Sequence, residues 1–598
     1  MGKPHVRFDE GTAPEGASYS TPRNRMKFYY PLITITTCLG LGITGCGNRT
    51  ASHSVTHPAK GGTAVIALPV QTSPNWFFPL VSLTADSIVN YQVDELMYKP
   101  LLRISAKDAI NYHRSLASSV TWNSQGTRYV VKLHRKWHWS NGQPVTAQDV
   151  VFTYQLMKAA SSGASSLPWG FSGAGSGGMP KLWKSVKAVG HHTVIITLTK
   201  PMNQEWFLHN GIHQIIPVPR TIWDKYPHNM TQELRYIHSV SNSPGAAPYR
   251  VVDGPYRFSS MQPNNRWIFV PNLHYDGHKS LISRVVFQYE TSAANEFSAL
   301  RTGSVNVGYL PPSLLGSRQE LTHDVLSTPY LVGFNYIVDN FSNQAPSGIG
   351  KAFQSLAVRQ ALQMGVNQQG IIDHLYHGYG TVDDTVIAPQ PRTPFFDPAL
   401  RHNPYPYNPG AGKKLLERQG WHLSHGVMTK NGIKLAFTLD YASGSQTATD
   451  VASLLKHTWA LEGIHVHLVS QPFDTVISYS PNNASQWAMI YWNGGWTYGT
   501  DPYPTGGSLF SSNGAENSGS YNSAVMNKLI ATSYQPGTSK EITAALYHYE
   551  DYAASHLPAV FIPWIPQFYE HATNIHGTVR TFDPVGAVLS PNYWWISK

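Results

Sequence analysis

Residues 435–468 read LAFTLDYASGSQTATDVASLLKHTWALEGIHVHL. The first seven, Leu435–Tyr441, form a short apolar run that predicts a strand. From Thr447 to Glu462 the apolar residues Val451, Leu454, Leu455 and Trp459 fall on one side of a helix. Gly463 follows, where a left-handed residue stops a helix, and Ile464, Val466 and Leu468 then alternate as a new strand. Strand, helix, glycine and strand make a βαβ unit, so the chain is α/β.

The same alternation extends towards the N-terminus. Thr63–Val70, behind Gly61-Gly62, predicts a buried first strand, and Tyr129–Leu133 and Thr193–Leu198 predict two more. Between those two, Thr146-Ala147-Gln148-Asp149 has the form of a capping box, with Asp149 reaching back to open a helix through Val150, Val151, Phe152, Tyr154 and Leu156. Arg284–Tyr289 is a further strand, leading into a helix over Ala293–Thr302 that Gly303 ends. Ser161–Gly178, rich in Ser and Gly, is expected to be a surface loop. No tandem repeat of solenoid period occurs.

At the N-terminus, Arg23, Arg25 and Lys27 precede an uncharged stretch, Phe28–Gly45, and then Cys46. A basic region, an apolar core and small residues before a cleavage point make a secretory signal. The run Ile43-Thr44-Gly45-Cys46 resembles a bacterial lipobox, in which the Cys is lipidated and becomes the new N-terminus. Pro31 and the many Thr and Gly make the stretch a poorer spanning helix than a leader. Residues 1–45 are therefore expected to be a leader, with 1–25 either a long basic region or sequence upstream of a start at Met26. Residues 46–60 are expected to form a flexible tether. The body then sits outside the cytoplasm, periplasmic or at the cell surface, anchored to the membrane through lipid on Cys46.

Composition narrows the function. The two cysteines are Cys38 and Cys46. Cleavage leaves only the lipid-bearing one, which excludes a disulfide framework, a zinc-thiolate site and a cysteine nucleophile from the folded body. From Cys46 onward there are 39 Lys and Arg against 31 Asp and Glu, a dispersed excess. Nucleic acid would require a clustered basic stripe, so it is not expected as a partner. Only 13% of residues are charged while 12% are aromatic, which suggests a ligand surface built from ring faces. Gly173, Gly175 and Gly178 fit the dinucleotide fingerprint in spacing, but they follow no strand and open no helix. His134/His138 and His209/His213 have metal-like spacing only if helical, and the first pair falls in a strand and turn. No G-x-S-x-G elbow or H-E-x-x-H helix occurs, and no residue pattern calls for a cofactor or a resident metal.

Several segments in order resemble the family 5 extracellular solute-binding proteins, receptors of oligopeptide and dipeptide ABC importers. Tyr98-Lys99-Pro100-Leu101-Leu102 is like the family's "YEPLL", and Leu116-Ala117 with Val120 and Trp122 is like "LAESW". The run from Trp137 to Val150 (WHWSNGQPVTAQDV) is close to "W-x-D-G-x-P-V-T-A-E-D-V". Gly254-Pro255-Tyr256, Ala299–Gly303, Val358–Leu362 (VRQAL), Lys414-Leu415-Leu416 with Gly420-Trp421, and Ser520–Ser523 match later segments. The resemblance implies a type 2 periplasmic-binding-protein fold in its large three-lobed form, with a ligand cleft between two closing lobes. Lobe I is expected at 61–105, 222–325 and 555–598, the inserted lobe II at 106–221, and lobe III at 326–554. It further implies a non-enzymatic monomer that captures peptides by lobe closure and delivers them to an ABC permease and its ATPases.

In peptide-binding members a segment like "GW-x-A-D-Y-x-D-P" lines the cleft, and its first Asp pairs with the peptide amine. Here the stretch from Asn493 reads Asn-Gly-Gly-Trp-Thr-Tyr-Gly-Thr-Asp-Pro-Tyr, ending at Tyr503. Gly499 stands where that Asp is expected, and Asp501 arrives one residue early, which makes it the candidate to take over the anchoring role. The resemblance therefore points to Trp492, Asn493, Gly495, Trp496, Tyr498, Asp501 and Tyr503 as ligand-binding residues. Asn75 and Trp76 are added because they fall where the family often has a cleft turn. An oligosaccharide or a metal chelate is the alternative ligand on the same fold, and a secreted glycoside hydrolase the remote alternative. The hydrolase would need two carboxylates facing each other across a cleft, and nothing in the sequence selects such a pair.

Overall fold

The computed structural model describes residues 58–105, 109–479, 483–499 and 501–597. The expected leader and Cys46 lie outside the described residues. Among the described residues no helix is long and apolar enough to cross a membrane.

The βαβ unit forms as the sequence dictates. Strands Ala436–Ala442 and His465–Gln471 run parallel in unbroken register, from Ala436 opposite His465 to Ala442 opposite Gln471. The helix between them, Gln446–Ala460, buries Val451, Leu455 and Trp459 against the sheet. Ser445 caps it by accepting the Ala448 N–H at 3.2 Å, and Gly463 turns the chain out with φ +79°. Met489–Tyr491 adds to this sheet, followed by the central strand Gly333–Asp339, buried throughout. That strand carries Trp496–Thr497 beside it and also pairs with Val560–Ile562 from near the C-terminus.

A second, seven-stranded sheet is built around Thr63–Ala67, which pairs parallel with Arg284–Gln288, Thr63 opposite Arg284. Its remaining members are Val307–Tyr309, Tyr569–Ala572 and Asp324–Ser327 on one side, and Arg266–Pro271 and Tyr256–Gln262 on the other. The chain between the two parallel partners leaves this sheet and forms an antiparallel four-stranded one, ordered Ala117–Trp122, Arg128–Leu133, Thr193–Leu198, Trp183–Ala188.

The long WHWSNGQPVTAQDV motif proves to be structural. Trp137 and Trp139 are buried, and the Asp149 carboxylate accepts the Thr146 N–H at 2.8 Å, the Thr146 hydroxyl at 2.9 Å and the Arg220 N–H at 2.8 Å. Asp149 thereby both starts the helix Ala147–Ala160 and ties it to the segment that returns towards the seven-stranded sheet. Trp137 stacks on Tyr275 with centroids 5.8 Å apart, and the Lys99 ammonium lies 4.3 Å from its ring centre.

One expectation changes. The glycine-rich stretch 161–178 is a surface loop only in its first half. Phe171 and Ser172 are buried, and a Cβ on Gly177 would come within 2.2 Å of the Gly211 Cα. Gly177 serves close backbone approach, which composition alone does not distinguish from exposure.

The core holds carboxyl groups that accept no hydrogen bond and enter no ion pair among the described residues. Both carboxyl oxygens of Asp94, Asp339 and Glu462 are buried and accept no hydrogen bond. Burial pushes Asp339 up to about 7, against the pull of Arg359, and Glu462 up to about 9. Among the described carboxyls with a resolved shift, only Glu541 is lowered. The stability these raised groups confer is full below the unfolded-chain values near pH 4 and declines as pH rises. It is gone once pH passes the folded values, about 7 for Asp339 and about 9 for Glu462. Urea unfolding is expected to lose several kcal/mol between pH 5 and pH 8, about 1.4 kcal/mol per pH unit for each such group still protonated in the fold, and Glu462→Gln to make that slope shallower. A profile that is flat or rises with pH would contradict this account.

Candidate ligand cavity

Parallel strands of both sheets end at one cavity. After Thr63–Ala67 come Pro69 and Val70, and after Val307–Tyr309 come Leu310 and Pro311; all four line it. From the other sheet, Ser443 and Ser445 follow Ala436–Ala442, and Trp492 and Asn493 follow Met489–Tyr491. Ligand clefts form at carboxyl ends because the strand-to-helix loops there are free to vary. The cavity measures about 490 Å³, within the range of small-molecule sites.

The most distinctive wall is Asn493–Gly499. Asn493 and Gly495 adopt left-handed backbone, φ +66° and +67°, which turns the chain from one short strand into the next. Trp496–Thr497 then lies antiparallel to Gly333–Phe334, and among the described residues it pairs with no other strand. Two glycines permit this contact: a Cβ on Gly495 would sit 2.2 Å from the Phe334 carbonyl oxygen, and one on Gly333 2.1 Å from that of Trp496. An edge strand on a cavity wall offers backbone groups to an extended ligand.

Trp492, Asn493, Gly495 and Trp496 line the cavity, as the sequence suggests. The other five expected residues do not. Tyr498 is fully buried and donates its hydroxyl to the Val386 carbonyl at 2.6 Å. Tyr503 is buried edge-on against Phe395, its backbone held by Asn210. Asp501 lies behind the wall, 2% exposed, accepting the Ser508 hydroxyl at 3.0 Å. Burial raises its carboxyl to about 8, so it is a neutral interior acid rather than a ready anion. Trp76 packs on Trp169, ring centres 5.2 Å apart, and Asn75 exchanges hydrogen bonds with Asn90. These residues carry the right ring and amide chemistry but point into the interior.

Gly499 does line the cavity. A Cβ there would meet the Gly586 Cα at 3.4 Å, an ordinary van der Waals contact. Its carbonyl faces His213 Nε2 at 3.2 Å, while His213 Nδ1 faces the Leu102 carbonyl at 2.9 Å. His209, by contrast, bonds the Glu205 carbonyl within its own helix, so the two His of that pair serve different neighbours. Sequence reasoning missed Asp86, Tyr91, Arg103 and Glu516 in the cavity wall. The only available signal was isolation: Asp86 is the first acid after Glu15, and Glu516 is the sole acid between Asp501 and Glu541.

A family model, bacterial extracellular solute-binding proteins, family 5 (middle), matches residues 111–517, well over half of the chain. The chain belongs to this family. The oligopeptide-binding protein AppA of Bacillus subtilis is 22% identical to it over 585 residues, covering 96% of this chain and 100% of AppA. The periplasmic oligopeptide-binding protein OppA of Salmonella typhimurium is 25% identical over 447 residues, covering 70% of this chain and 73% of OppA. The solved structure of Bacillus subtilis AppA in complex with a nonapeptide matches with a TM-score of 0.76 at 20% identity, covering 91% of this chain and 100% of that one. The fold is the type 2 periplasmic-binding-protein fold expected from the sequence, and the cavity described here belongs to a family 5 solute-binding protein.

The two neighbouring glycines of the wall give a sharp test. Gly495→Ala introduces left-handed strain and a backbone clash, and is expected to cost roughly 2 kcal/mol or more and to abolish ligand binding. Gly494→Ala meets nothing within 4 Å and is expected to keep wild-type stability. Thermal melting of both variants checks this, and equal losses would overturn the reading of the wall.

Proposed function

We propose that this chain is the extracytoplasmic receptor of an ABC importer, which captures peptides in the cavity and hands them to the permease. The observation that carries the reading is the edge strand Trp496–Thr497 in the cavity wall. A peptide laid against it gains main-chain hydrogen bonds independent of its side chains, which gives affinity with broad acceptance. Trp492 and Trp496 add ring faces beside that edge. The names of AppA and OppA as oligopeptide-binding proteins support the same ligand class.

Lobe I of this reading carries the seven-stranded sheet, lobe II is the insert 106–221, and lobe III carries the βαβ sheet. The C-terminal crossing back to lobe I falls after Val560–Ile562, since that strand pairs with Gly333–Asp339. Ligand contacts made to both lobes only when they are shut stabilise the closed arrangement, and the permease reads that state. A bond between Ser443 Oγ and Gln71 Oε1, 2.7 Å, spans the two sides at the cavity rim. Lipid on Cys46 holds the receptor, a monomer with no cofactor, at the membrane where the permease and its ATPases sit.

Native mass spectrometry of residues 61–598, purified from cells grown in rich medium, tests the ligand class. Co-purified masses are expected to form a ladder of amino-acid increments. Hexose increments, a metal chelate, or an empty protein with hydrolytic activity would each sink the peptide reading. For the anchor, Cys46→Ser is expected to release the protein from the membrane fraction and to abolish acyl labelling.

A further inference from the structure

The basic excess that runs along the chain in blocks of one or two residues gathers in one lobe. Residues 106–221 hold 12 Lys and Arg against 3 Asp and Glu. The rest of the chain from Cys46 onward is close to neutral, 27 against 28. Of the three acids of the insert, Asp149 is buried in its capping bonds, Asp108 lies outside the described residues, and Glu205 is exposed.

The four-stranded sheet of the insert displays much of this charge. The helix Ala147–Ala160 packs on one face, where Val131, Val186, Val194 and Ile196 are buried. Side chains alternate along a strand, so Arg128, Val130 and Lys132 point the other way, and both cations are exposed. Val130 lies opposite Ile195 and Ile195 opposite Lys187, which puts the exposed Lys187 on the same outer face. Lys184, at the irregularity of that strand, is exposed as well. Arg128 and Lys132 stand about 14 Å apart along their strand, and the strand of Lys187 is two over, about 10 Å away. Among the described residues none of these four cations enters an ion pair. The nearby rings belong to the inner side: Tyr129 and Trp183 are buried, and Trp122 lies opposite Tyr129.

We propose that this outer face docks on a membrane surface of anionic lipid headgroups and so sets the orientation of the receptor. A sheet face with several cations and no acid on it matches a plane of negative charge. Each cation brought within a Debye length of such a surface strengthens binding about fivefold, and here four act together. Nucleic acid, another polyanion, is gripped by rings set among the cations, and here the rings turn inward. A flexible tether on Cys46 keeps the body near the membrane but leaves it free to rotate, and this face removes that freedom. The proposal needs a membrane within reach and is independent of which ligand the cavity takes.

The test uses the whole chain carrying Cys46→Ser, so that acyl chains do not mask the contact. It is co-sedimented with vesicles of phosphatidylglycerol and phosphatidylcholine in equal parts, and with vesicles of phosphatidylcholine alone. Binding is expected to the anionic vesicles only, and to be lost in high salt. In the same background, Arg128→Gln, Lys132→Gln, Lys184→Gln and Lys187→Gln together are expected to weaken it on the order of a hundredfold. These side chains are exposed, so thermal melting and ligand retention are expected to stay unchanged. An equal loss of exposed charge on lobe III, by Lys414→Gln, Arg418→Gln, Lys434→Gln and Lys456→Gln, is expected to change vesicle binding by less than about twofold. No preference for the anionic vesicles would overturn the proposal. A loss in the lobe III variant as large as in the insert variant, or an insert variant that binds like its parent, would overturn it too. Retention of a DNA duplex without binding to vesicles would overturn it in favour of nucleic acid. None of these outcomes bears on the peptide reading, which the co-purified masses decide.

Discussion

The pairing of Thr63–Ala67 with Arg284–Gln288 is the constraint on which the architecture depends. A parallel pair cannot be closed by a tight turn, so the chain must leave the sheet and return. Here the excursion is long enough to build an entire additional sheet. Its entropic cost is small, because each doubling of a closed loop adds only about 0.6 kcal/mol. The same parallel sense aims the carboxyl ends of the strands at one place. The βαβ unit does the same from the other side, and the cavity is where the two sets of strand ends meet.

Sequence periodicity made the elements legible and left the site half hidden. The helix Ala293–Thr302 and the strand Thr193–Leu198 form at their expected bounds, because capping chemistry and β-branched runs act locally. The site depends instead on which way a loop faces. Between Trp496 and Tyr498 the chain moves from cavity wall to interior within two residues, and both are aromatic. Residue type therefore could not separate ring faces for a ligand from rings for the core. The left-handed turn at Asn493 and Gly495 sets that direction, and it is a property of backbone, not of hydrophobicity. Asp86 and Glu516 lie in segments without a motif, and only the fold brings each to the cavity wall.

The most recognisable run of the sequence, Trp137–Val150, touches no ligand surface. Trp137 joins the inserted sheet to the rest of the body through Tyr275, while Asp149 ties the first turn of its helix to Arg220 within the insert. The run that carries the family resemblance is therefore structural in this chain, and the residues facing the cavity come from other segments. Gly499 lines the cavity without a side chain, and the charged residues of the wall, Asp86 and Glu516 among them, come from other segments.

Asn210 gives and receives a hydrogen bond with the backbone of Tyr503, at 2.7 and 2.9 Å, while His213 meets the carbonyl of Gly499. Two residues of the insert thus grip both ends of the short segment that follows the edge strand. The insert is therefore a brace for the cavity: Asn210 and His213, one helical turn apart, fix the backbone behind its wall.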